Sequence, residues 1–196
     1  MEEYIPPTAK IPFRSNKEYH VFLSFRGKDV RNTLVDHLYV ALTNAGLNVF
    51  LDSQKLKKGE IIGLSLEKAI ESSAIRIPIF TRGYAGSAWC LREAATMVNT
   101  QGLIIPLFYD VDPTHVRYPR GISSPYKQAF EKHYSHCDHI QRQEIEWWKY
   151  ALQHICPCLQ LYGHSVRYQR KEIDGWKDAL KEICSRSGWS MNTTGG

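Results

Sequence analysis

Short apolar runs alternate with longer amphipathic stretches along the first 111 residues of the chain. The apolar runs have the length and composition of buried strands: 19–25 (YHVFLSF), 47–52 (LNVFLD), 74–80 (AIRIPIF) and 103–111 (LIIPLFYDV). The stretches between them repeat apolar residues at helical spacing: 29–46, 61–73 and 87 to about 99. Strands that are apolar on both faces need helices on both sides of the sheet. The pattern therefore predicts an α/β fold with a doubly wound parallel sheet.

The chain divides into one domain and two short tails. Residues 1–18 contain three prolines and no periodic apolar pattern, so we expect a flexible tail there. Residues 19–190 form the domain, and residues 191–196 form the second tail. Hydrophobic residues make up 43% of the chain, which is enough for a sizeable core.

Composition also bears on the compartment and on the ligand. The chain opens with acids where a signal peptide has basic residues, and no apolar run reaches the roughly 18 residues of a membrane span. We therefore expect a cytosolic protein, with the nucleus as a second location. Five cysteines without framework spacing favour reduced thiols over disulfides. The net charge of +5 favours an anionic ligand, but the basic residues are too scattered for a nucleic-acid stripe.

In a doubly wound sheet, ligands bind beyond the carboxyl ends of the strands. That rule selects four loops before any family is considered: 24–29, 52–60, 81–87 and 109–117. We expect functional side chains in these loops or directly beside them.

Glu93 lies at the edge of the apolar face of the helix that follows the third of these loops. Ser87 is a plausible N-cap, which makes Glu93 the sixth helical residue and places it beside Trp89 on the flank of the buried stripe. A glutamate in such a position is usually solvated, and the residues alone favour that interpretation.

Four motifs occur in an order and spacing typical of one known family: YHVFLSFRGKDVR, LNVFLDSQKLKKGE, SAWCLREA and LIIPLFYDVDPTHVR. They resemble the plant-type TIR (Toll/interleukin-1 receptor/resistance protein) domain over roughly residues 19–155. The resemblance implies a flavodoxin-like three-layer sandwich, with a central parallel sheet of four or five strands flanked by helices. It further implies cleavage of the nicotinamide–ribose bond of NAD⁺ or NADP⁺ as substrate, without a cofactor, and Glu93 stands at the position of the family's catalytic glutamate.

One carboxylate can suffice for that reaction, because nicotinamide leaves from a pyridinium and needs no proton from a second acid. The anion accepts hydrogen bonds from the ribose hydroxyls and stabilises the positive charge that develops on the sugar. Trp89 has two interpretations: it packs against the ribose or a base, or it fastens the helix to the core.

The resemblance also assigns a pocket and a second activity. The predicted pocket residues, besides Trp89, follow or end the first strand: Ser24, Phe25, Arg26 and Gly27. Gly27 lets the backbone approach a phosphate and Arg26 can donate two hydrogen bonds to it, although an exposed arginine after a strand is usually only solvated. Cys90 is associated in the family with the synthesis of 2′,3′-cyclic nucleotides from nucleic acid, but its helical position favours packing in the core.

Two further segments are implicated in assembly by the resemblance. The loop from Asp52 to Glu60 corresponds to the family's BB loop, a flap over the pocket and an assembly contact, although its composition would equally suit an inert surface loop. Its chemistry-bearing residues are Asp52, Lys55, Lys57, Lys58, Gly59 and Glu60. Asp36 and His37 stand where the family usually has Ser-His, on the first-helix surface that plant members use to self-associate.

One segment near the C-terminus occurs twice, with a period of 28 residues. QRQEIEWWKYALQHIC (141–156) and QRKEIDGWKDALKEIC (169–184) are identical at ten of sixteen positions, and both have the pattern of an amphipathic helix. A TIR domain normally has one such closing helix. We expect one copy to pack on the sheet and the other to lie outside or to pair with another chain.

Histidines and cysteines are frequent between residues 133 and 164, which raises a metal site as an alternative. The Cys-x-Cys spacing there is not that of a zinc knuckle, and the second copy of the helix lacks the second cysteine, so we expect no metal.

Three functions remain open from the sequence. The first is an NAD⁺ glycohydrolase or cyclase that makes ADP-ribose-type immune and cell-death signals and is active on self-association. The second is a non-catalytic adaptor that binds other TIR domains, and the third is processing of nucleic acid. No phosphate-binding P-loop and no leucine-rich repeats occur in the sequence, which therefore resembles a TIR-only protein.

Overall fold

The computed structural model describes residues 16–51, 62–119, 124–138 and 169–191. The strands are β1 (Tyr19–Phe25), β2 (Val49–Leu51), β3 (Ser73–Phe80), β4 (Leu103–Ile104), β5 (Leu107–Tyr109) and β6 (Trp189–Met191). The helices are α1 (Gly27–Val30), α2 (Asp36–Asn44), α3 (Ile62–Glu71), α4 (Ala88–Asn99), α5 (Pro113–Arg117), α6 (125–138) and α7 (Arg170–Ile183). In this part of the chain no helix is long and apolar enough to cross a membrane.

The strands form one parallel sheet in the order β2-β1-β3-β5-β6, with β4 pairing beside β3. The α/β architecture with a central parallel sheet is confirmed. Because β2 lies on one side of β1 and β3 on the other, the strand order reverses at β1 and β3. The carboxyl ends of these two strands are therefore where a ligand is expected.

The sheet has six strands, whereas the sequence predicted four or five. The predicted strand 103–111 is divided into β4 and β5, and Pro106 between them has no N–H with which to continue a ladder. The additional strand is β6, whose three residues are all exposed and too few to give a periodic signal. It pairs with β5 and extends the domain to Met191, at the point where we expected a tail to begin.

Apolar residues pack on both faces of the sheet, as the continuous apolar strands require. Because successive side chains of a strand point to opposite faces, Phe22 belongs to the core on the side of α3, α4 and α7, whereas Leu23 and Phe25 belong to the core on the side of α1 and α2. The same alternation directs Ser24 towards α4. The strand period thus brings the hydroxyl of Ser24 to the helix that carries Glu93.

The segment predicted as one helix from 29 to 46 begins earlier and is interrupted. It contains α1, a π-helical stretch over Arg31–Val35, and α2. Gly46 follows α2 with φ of +86°, the left-handed conformation of a residue that ends a helix. Asp36 and His37 lie exposed in the first turn of α2.

Arg76 ties the ends of α3 and α4 to the sheet. Its guanidinium is buried and donates to the carbonyls of Ile70 at 2.9 Å, Thr100 at 3.2 Å and Gln101 at 2.6 Å. Carbonyls at helix ends lack partners within the helix, so one cation serves two helices at once. The two helices are thereby fixed relative to each other.

The second copy of the duplicated segment forms α7 and packs against α4. Its apolar stripe is fully covered: Ile173, Trp176, Ala179, Leu180 and Ile183. The first copy, 141–156, lies outside the described residues.

Candidate functional site

Glu93 is buried in the second turn of α4, where only 6% of its surface remains exposed. The helix begins after Ser87, whose hydroxyl accepts a hydrogen bond from the backbone N–H of Cys90 at 3.4 Å, as the sequence predicted. Capping by serine commonly contributes about 1 kcal/mol and fixes where the helix starts. A glutamate on the flank of an apolar stripe is usually exposed to solvent, whereas Glu93 is buried.

A hydroxyl network holds the Glu93 carboxylate. The Ser24 hydroxyl donates to Glu93 Oε2 at 2.5 Å and lies 2.7 Å from the Tyr84 hydroxyl. Tyr84 also donates to the carbonyl of Cys90 at 2.9 Å, in the same helix as Glu93. Because Ser24 donates its proton to the Glu93 carboxylate, its oxygen can only accept a hydrogen bond from Tyr84. The single proton of Tyr84 is therefore shared between the Ser24 oxygen and the Cys90 carbonyl. Burial raises the pKa of the Tyr84 phenol well above its usual value of 10.0, so Tyr84 stays a donor.

Glu93 lines a cleft of about 210 Å³ between α3, α4 and α7. Leu66 and Ile70 of α3 form one wall, and α4 forms the other. The remaining lining residues are polar or aromatic: Glu67, Trp89, Arg92, Thr96 and Glu172. A buried carboxylate therefore meets a cavity beside the carboxyl end of β1.

The rim of this cleft is predominantly acidic. Arg92 is the one cation among its described lining residues, and its guanidinium lies 3.5 Å from a carboxylate oxygen of Glu172. The same guanidinium lies 5.8 Å from the ring centre of Trp89, which is 40% exposed. Glu67 adds a further exposed carboxylate. A positively charged group fits this rim better than an anion does.

Arg26 and Gly27 lie on the corner between β1 and α1, outside the described lining of the cleft. Arg26 donates to Asp29 at 3.3 Å, and Thr81 donates to the other oxygen of Asp29 at 2.5 Å. A Cβ on Gly83 would lie 2.2 Å from the Arg26 guanidinium and 2.5 Å from an Asp29 carboxylate oxygen, so a side chain there would displace this pair. This network fastens two strand-end loops together and leaves Arg26 one-third exposed.

Phe25 and Cys90 belong to the core. Phe25 is buried on the opposite face of the sheet, with the guanidinium of Arg31 5.0 Å from its ring centre. Cys90 is 5% exposed and its thiol donates to the carbonyl of Phe25 at 3.5 Å. The packing role that the helical position favoured for Cys90 is the one observed.

The family model of the TIR domain matches residues 18–195. The chain belongs to the TIR domain family. Curated plant proteins are similar to it, among them the following two. The TMV resistance protein N of Nicotiana glutinosa is 40% identical over 143 residues, which are 70% of this chain and 12% of that protein. The disease resistance protein RPV1 of Vitis rotundifolia is 38% identical over 138 residues, which are 68% of this chain and 9% of that protein.

The TIR fold is also supported by a solved structure. The TIR domains of the activated Roq1 resistosome, which directly recognises the pathogen effector XopQ, match with a TM-score of 0.65 and 31% identity over 90% of both chains. The chain spans about a tenth of the length of the two curated relatives.

Other predicted features of the TIR domain have different outcomes. The predicted BB loop, 52–60, lies outside the described residues. Within the described part of the chain no group of three metal-ligating side chains occurs. His133 and Cys137, from the histidine- and cysteine-rich region, are buried on α6, where His133 Nε2 is 2.8 Å from the carbonyl of Ala85.

Sequence reasoning missed several residues around Glu93. Tyr84 lies in a loop that the strand-end rule selected, so its position was foreseeable but its hydroxyl contact was not. Glu172 comes from a helix that is almost eighty residues away in sequence, and no local pattern could reveal it. Arg92 precedes Glu93 directly, but no local pattern marks it as the partner of Glu172.

Proposed function

We propose that this TIR domain is an NAD⁺ glycohydrolase or cyclase, with NADP⁺ as a second substrate, and that Glu93 is its catalytic carboxylate. The observation that carries the proposal is the burial of Glu93 at the wall of a cleft, with its orientation fixed by Ser24. A glutamate with only a structural role would need neither the cavity nor a dedicated hydroxyl partner. Buried charged groups are rare outside functional or paired sites.

The chemistry needs only one anion. As the bond between the ribose C1′ and the nicotinamide nitrogen breaks, its electron pair stays with the ring nitrogen and neutralises the pyridinium. Positive charge develops on the ribose, and the buried carboxylate of Glu93 stabilises it. Water then adds to C1′ and loses a proton, or a nucleophile within the remaining ADP-ribose adds instead and closes a ring.

The charge of the cleft supports the orientation of the substrate. The acidic rim suits the cationic nicotinamide end, whereas the pyrophosphate fits the basic loop after β1, which contains Arg26 and Lys28. A volume of about 210 Å³ lies below the roughly 300–1,000 Å³ of typical ligand pockets. The described cleft therefore accommodates the nicotinamide riboside end, and the rest of the dinucleotide needs further walls.

Those further walls are proposed to come from the 52–60 segment and from self-association. The relatives are named as plant resistance proteins, and the structural match is to TIR domains within a resistosome. By that similarity, the domain acts in plant immune and cell-death signalling in the cytosol, with activity that depends on contacts between TIR domains. Asp36 and His37 are exposed on α2, as residues of an association surface must be.

The proposal is tested by incubating the purified protein with NAD⁺ and, in parallel, with NADP⁺, and resolving the products by mass spectrometry. We expect free nicotinamide in an amount equal to the sum of ADP-ribose and cyclic ADP-ribose from NAD⁺, and to the sum of their 2′-phosphorylated counterparts from NADP⁺. A folded protein that leaves the dinucleotides intact at high protein concentration would reject the enzymatic role and leave docking to other TIR domains.

A further inference from the structure

The two copies of the duplicated segment differ only where the seated copy faces solvent. The differing positions of α7 are all exposed: Lys171, Asp174, Gly175, Asp178, Lys181 and Glu182. Every residue of the buried stripe of α7 recurs in the first copy: Ile145, Trp148, Ala151, Leu152 and Ile155. The half-buried Lys177 and Cys184 also recur, as Lys149 and Cys156. Every position that is buried or half-buried in α7 is therefore identical in the two copies. The groove that holds α7 is the surface that these positions contact.

The polar contacts of α7 with its groove are reproduced as well, except that Asp174, which accepts a hydrogen bond from the Tyr134 hydroxyl, is replaced by Glu146, which keeps the carboxylate. Arg170 forms a two-point hydrogen bond with Asp138 of α6, with N–O distances of 2.8 and 2.6 Å, and its counterpart is Arg142. Glu172 pairs with Arg92 of α4, and its counterpart is Glu144.

Lys177 donates to the hydroxyl of Tyr134 at 2.7 Å and lies 4.4 Å from the centre of that ring. Its counterpart, Lys149, has the same chemistry. The largest difference between the copies is glycine against tryptophan, Gly175 against Trp147. A Cβ on Gly175 would meet nothing within 4 Å, so the groove leaves open space for the tryptophan side chain. None of the differences between the copies would prevent the first copy from binding in the groove.

The first copy can also reach the groove from within its own chain. Arg142 follows Asp138 by four residues, and four peptide steps extend to at most about 14 Å. The direct contact between Arg170 and Asp138 places the start of α7 within that reach of the end of α6.

The two arrangements leave stretches of equal length outside the groove, 28 residues each: 141–168 with α7 in the groove, or 157–184 with the first copy in it. The entropic cost of closing a chain segment depends only weakly on its length, so it favours neither arrangement.

We propose that residues 141–156 are a second occupant of the α7 groove, and that they exchange with α7 within the same chain. The exchange leaves the residues of the core unchanged. It also keeps a glutamate beside Arg92 at the cleft, because Glu144 takes the place of Glu172. It changes the outer face of the closing helix, because Gly175 and Asp178 give way to Trp147 and Tyr150. The domain thereby has two alternative outer surfaces, one charged and one aromatic, beside the candidate catalytic cleft.

The exchange predicts a specific pattern of tolerance to mutation in the full chain. Trp176→Asp places a charge in the buried stripe of α7. This charge would unfold the domain if α7 were the only segment able to occupy the groove. With the first copy available, we expect Trp176→Asp and Trp148→Asp each to retain cooperative melting, with Tm within about 5 °C of the parent. The double variant should lose near-UV circular dichroism and the cooperative transition. Trp176→Asp that unfolds as completely as the double variant would overturn the proposal.

Thiol alkylation reports which copy is seated. Burial raises the pKa of Cys184 to about 12, so its thiol reacts slowly while α7 is in the groove. In Trp176→Asp, we expect iodoacetamide to modify Cys184 at least tenfold faster than in the parent and Cys156 correspondingly more slowly, as located by peptide mass spectrometry. Unchanged rates at both cysteines would contradict the exchange. Light scattering gives the oligomeric state of the Trp176→Asp protein. If this variant is folded only as a dimer, exchange within one chain is contradicted.

Discussion

At the scale of single residues, the Ser24 hydroxyl fixes the orientation of the Glu93 carboxylate, and the Tyr84 phenol in turn fixes the position of that hydroxyl. Ser24 donates to Glu93 and lies within hydrogen-bond distance of Tyr84, which is anchored on the carbonyl of Cys90. In the proposed mechanism, Tyr84 is a positioning residue that does not contact the substrate.

Tyr84→Phe removes the phenol oxygen while keeping the ring against Phe80. Loss of one neutral hydrogen bond is worth about 1 kcal/mol, which corresponds to roughly a fivefold fall in kcat. Ser24→Ala removes a hydrogen bond to the carboxylate itself, worth about 1.5–3 kcal/mol, and should reduce kcat about 10- to 150-fold. Steady-state kinetics of nicotinamide release check both values. A rise in KM at constant kcat in either variant would place these residues in substrate binding instead.

The sequence predicts the position of Glu93 in its helix but not its environment. Ser87 as N-cap fixes Glu93 at the sixth position, and that follows from local capping preferences. Glu93 is buried against Ser24 of β1 and shares its cleft with α3 and with Glu172 of α7, which approach only in the folded domain. Local patterns therefore locate the carboxylate, whereas its partners depend on tertiary contacts.

At the scale of elements, α6 is joined to the loop before α4 through His133. Its ring lies 5.6 Å from that of Trp176 and donates through Nε2 to the carbonyl of Ala85. Burial is the main cause that lowers the pKa of His133 below the ordinary histidine value of 6.5, with a smaller contribution in the same direction from His136. The hydrogen bond to Ala85 opposes that shift only in part.

This shift makes the stability of the domain depend on pH below neutrality. Above pH 6.5 His133 is neutral in both the folded and unfolded states, and its full contribution to stability is present. As the pH falls below that value, the unfolded state binds the proton first, so the free energy of unfolding declines by at most about 1.4 kcal/mol per pH unit. We expect Tm to fall between pH 7 and pH 5, and His133→Gln to flatten this dependence. An equally steep dependence in the variant would assign the effect to other groups.

Removing one copy of the duplicated segment tests what the domain itself requires. A protein that lacks residues 145–172 keeps a complete hybrid helix, because Glu144 is then followed by Ile173. We expect it to fold, with a cooperative melting transition and a Tm within about 5 °C of the parent, since every buried residue of α7 is retained. Insoluble or non-cooperative protein would show that both copies are structural.

The elements themselves were largely predictable, and the differences have local causes. Continuous apolar strands and helical spacing predict the alternation of strands and helices, but the missing N–H of Pro106 divides one strand into two. The exposed β6 is only three residues long, too short for a periodic signal, and its strand conformation is set by pairing with β5. Arg76, in a run predicted as a purely apolar strand, is buried because it meets helix-end carbonyls.

At the scale of the whole molecule, the proposed activity depends on contacts between domains. If neighbouring domains complete the site, specific activity should rise with protein concentration until association saturates. Asp36→Arg places the opposite charge on the exposed start of α2 and should lower activity several-fold at low concentration, with recovery at high concentration. Glu131→Arg, on the exposed face of α6, is the matched control and should retain the parent's dependence. A rate strictly proportional to enzyme concentration in the parent would contradict activation by association.

The central claim is that Glu93 stabilises positive charge on the ribose as nicotinamide departs. The most direct test is the rate of nicotinamide release by Glu93→Gln, compared with the parent and with Glu67→Gln, which changes an exposed carboxylate of the same cleft. We predict a fall of about 100-fold or more in kcat for Glu93→Gln, less than a threefold change for Glu67→Gln, and native circular dichroism for both. Nicotinamide release by a folded Glu93→Gln protein at the parent's rate would contradict the account.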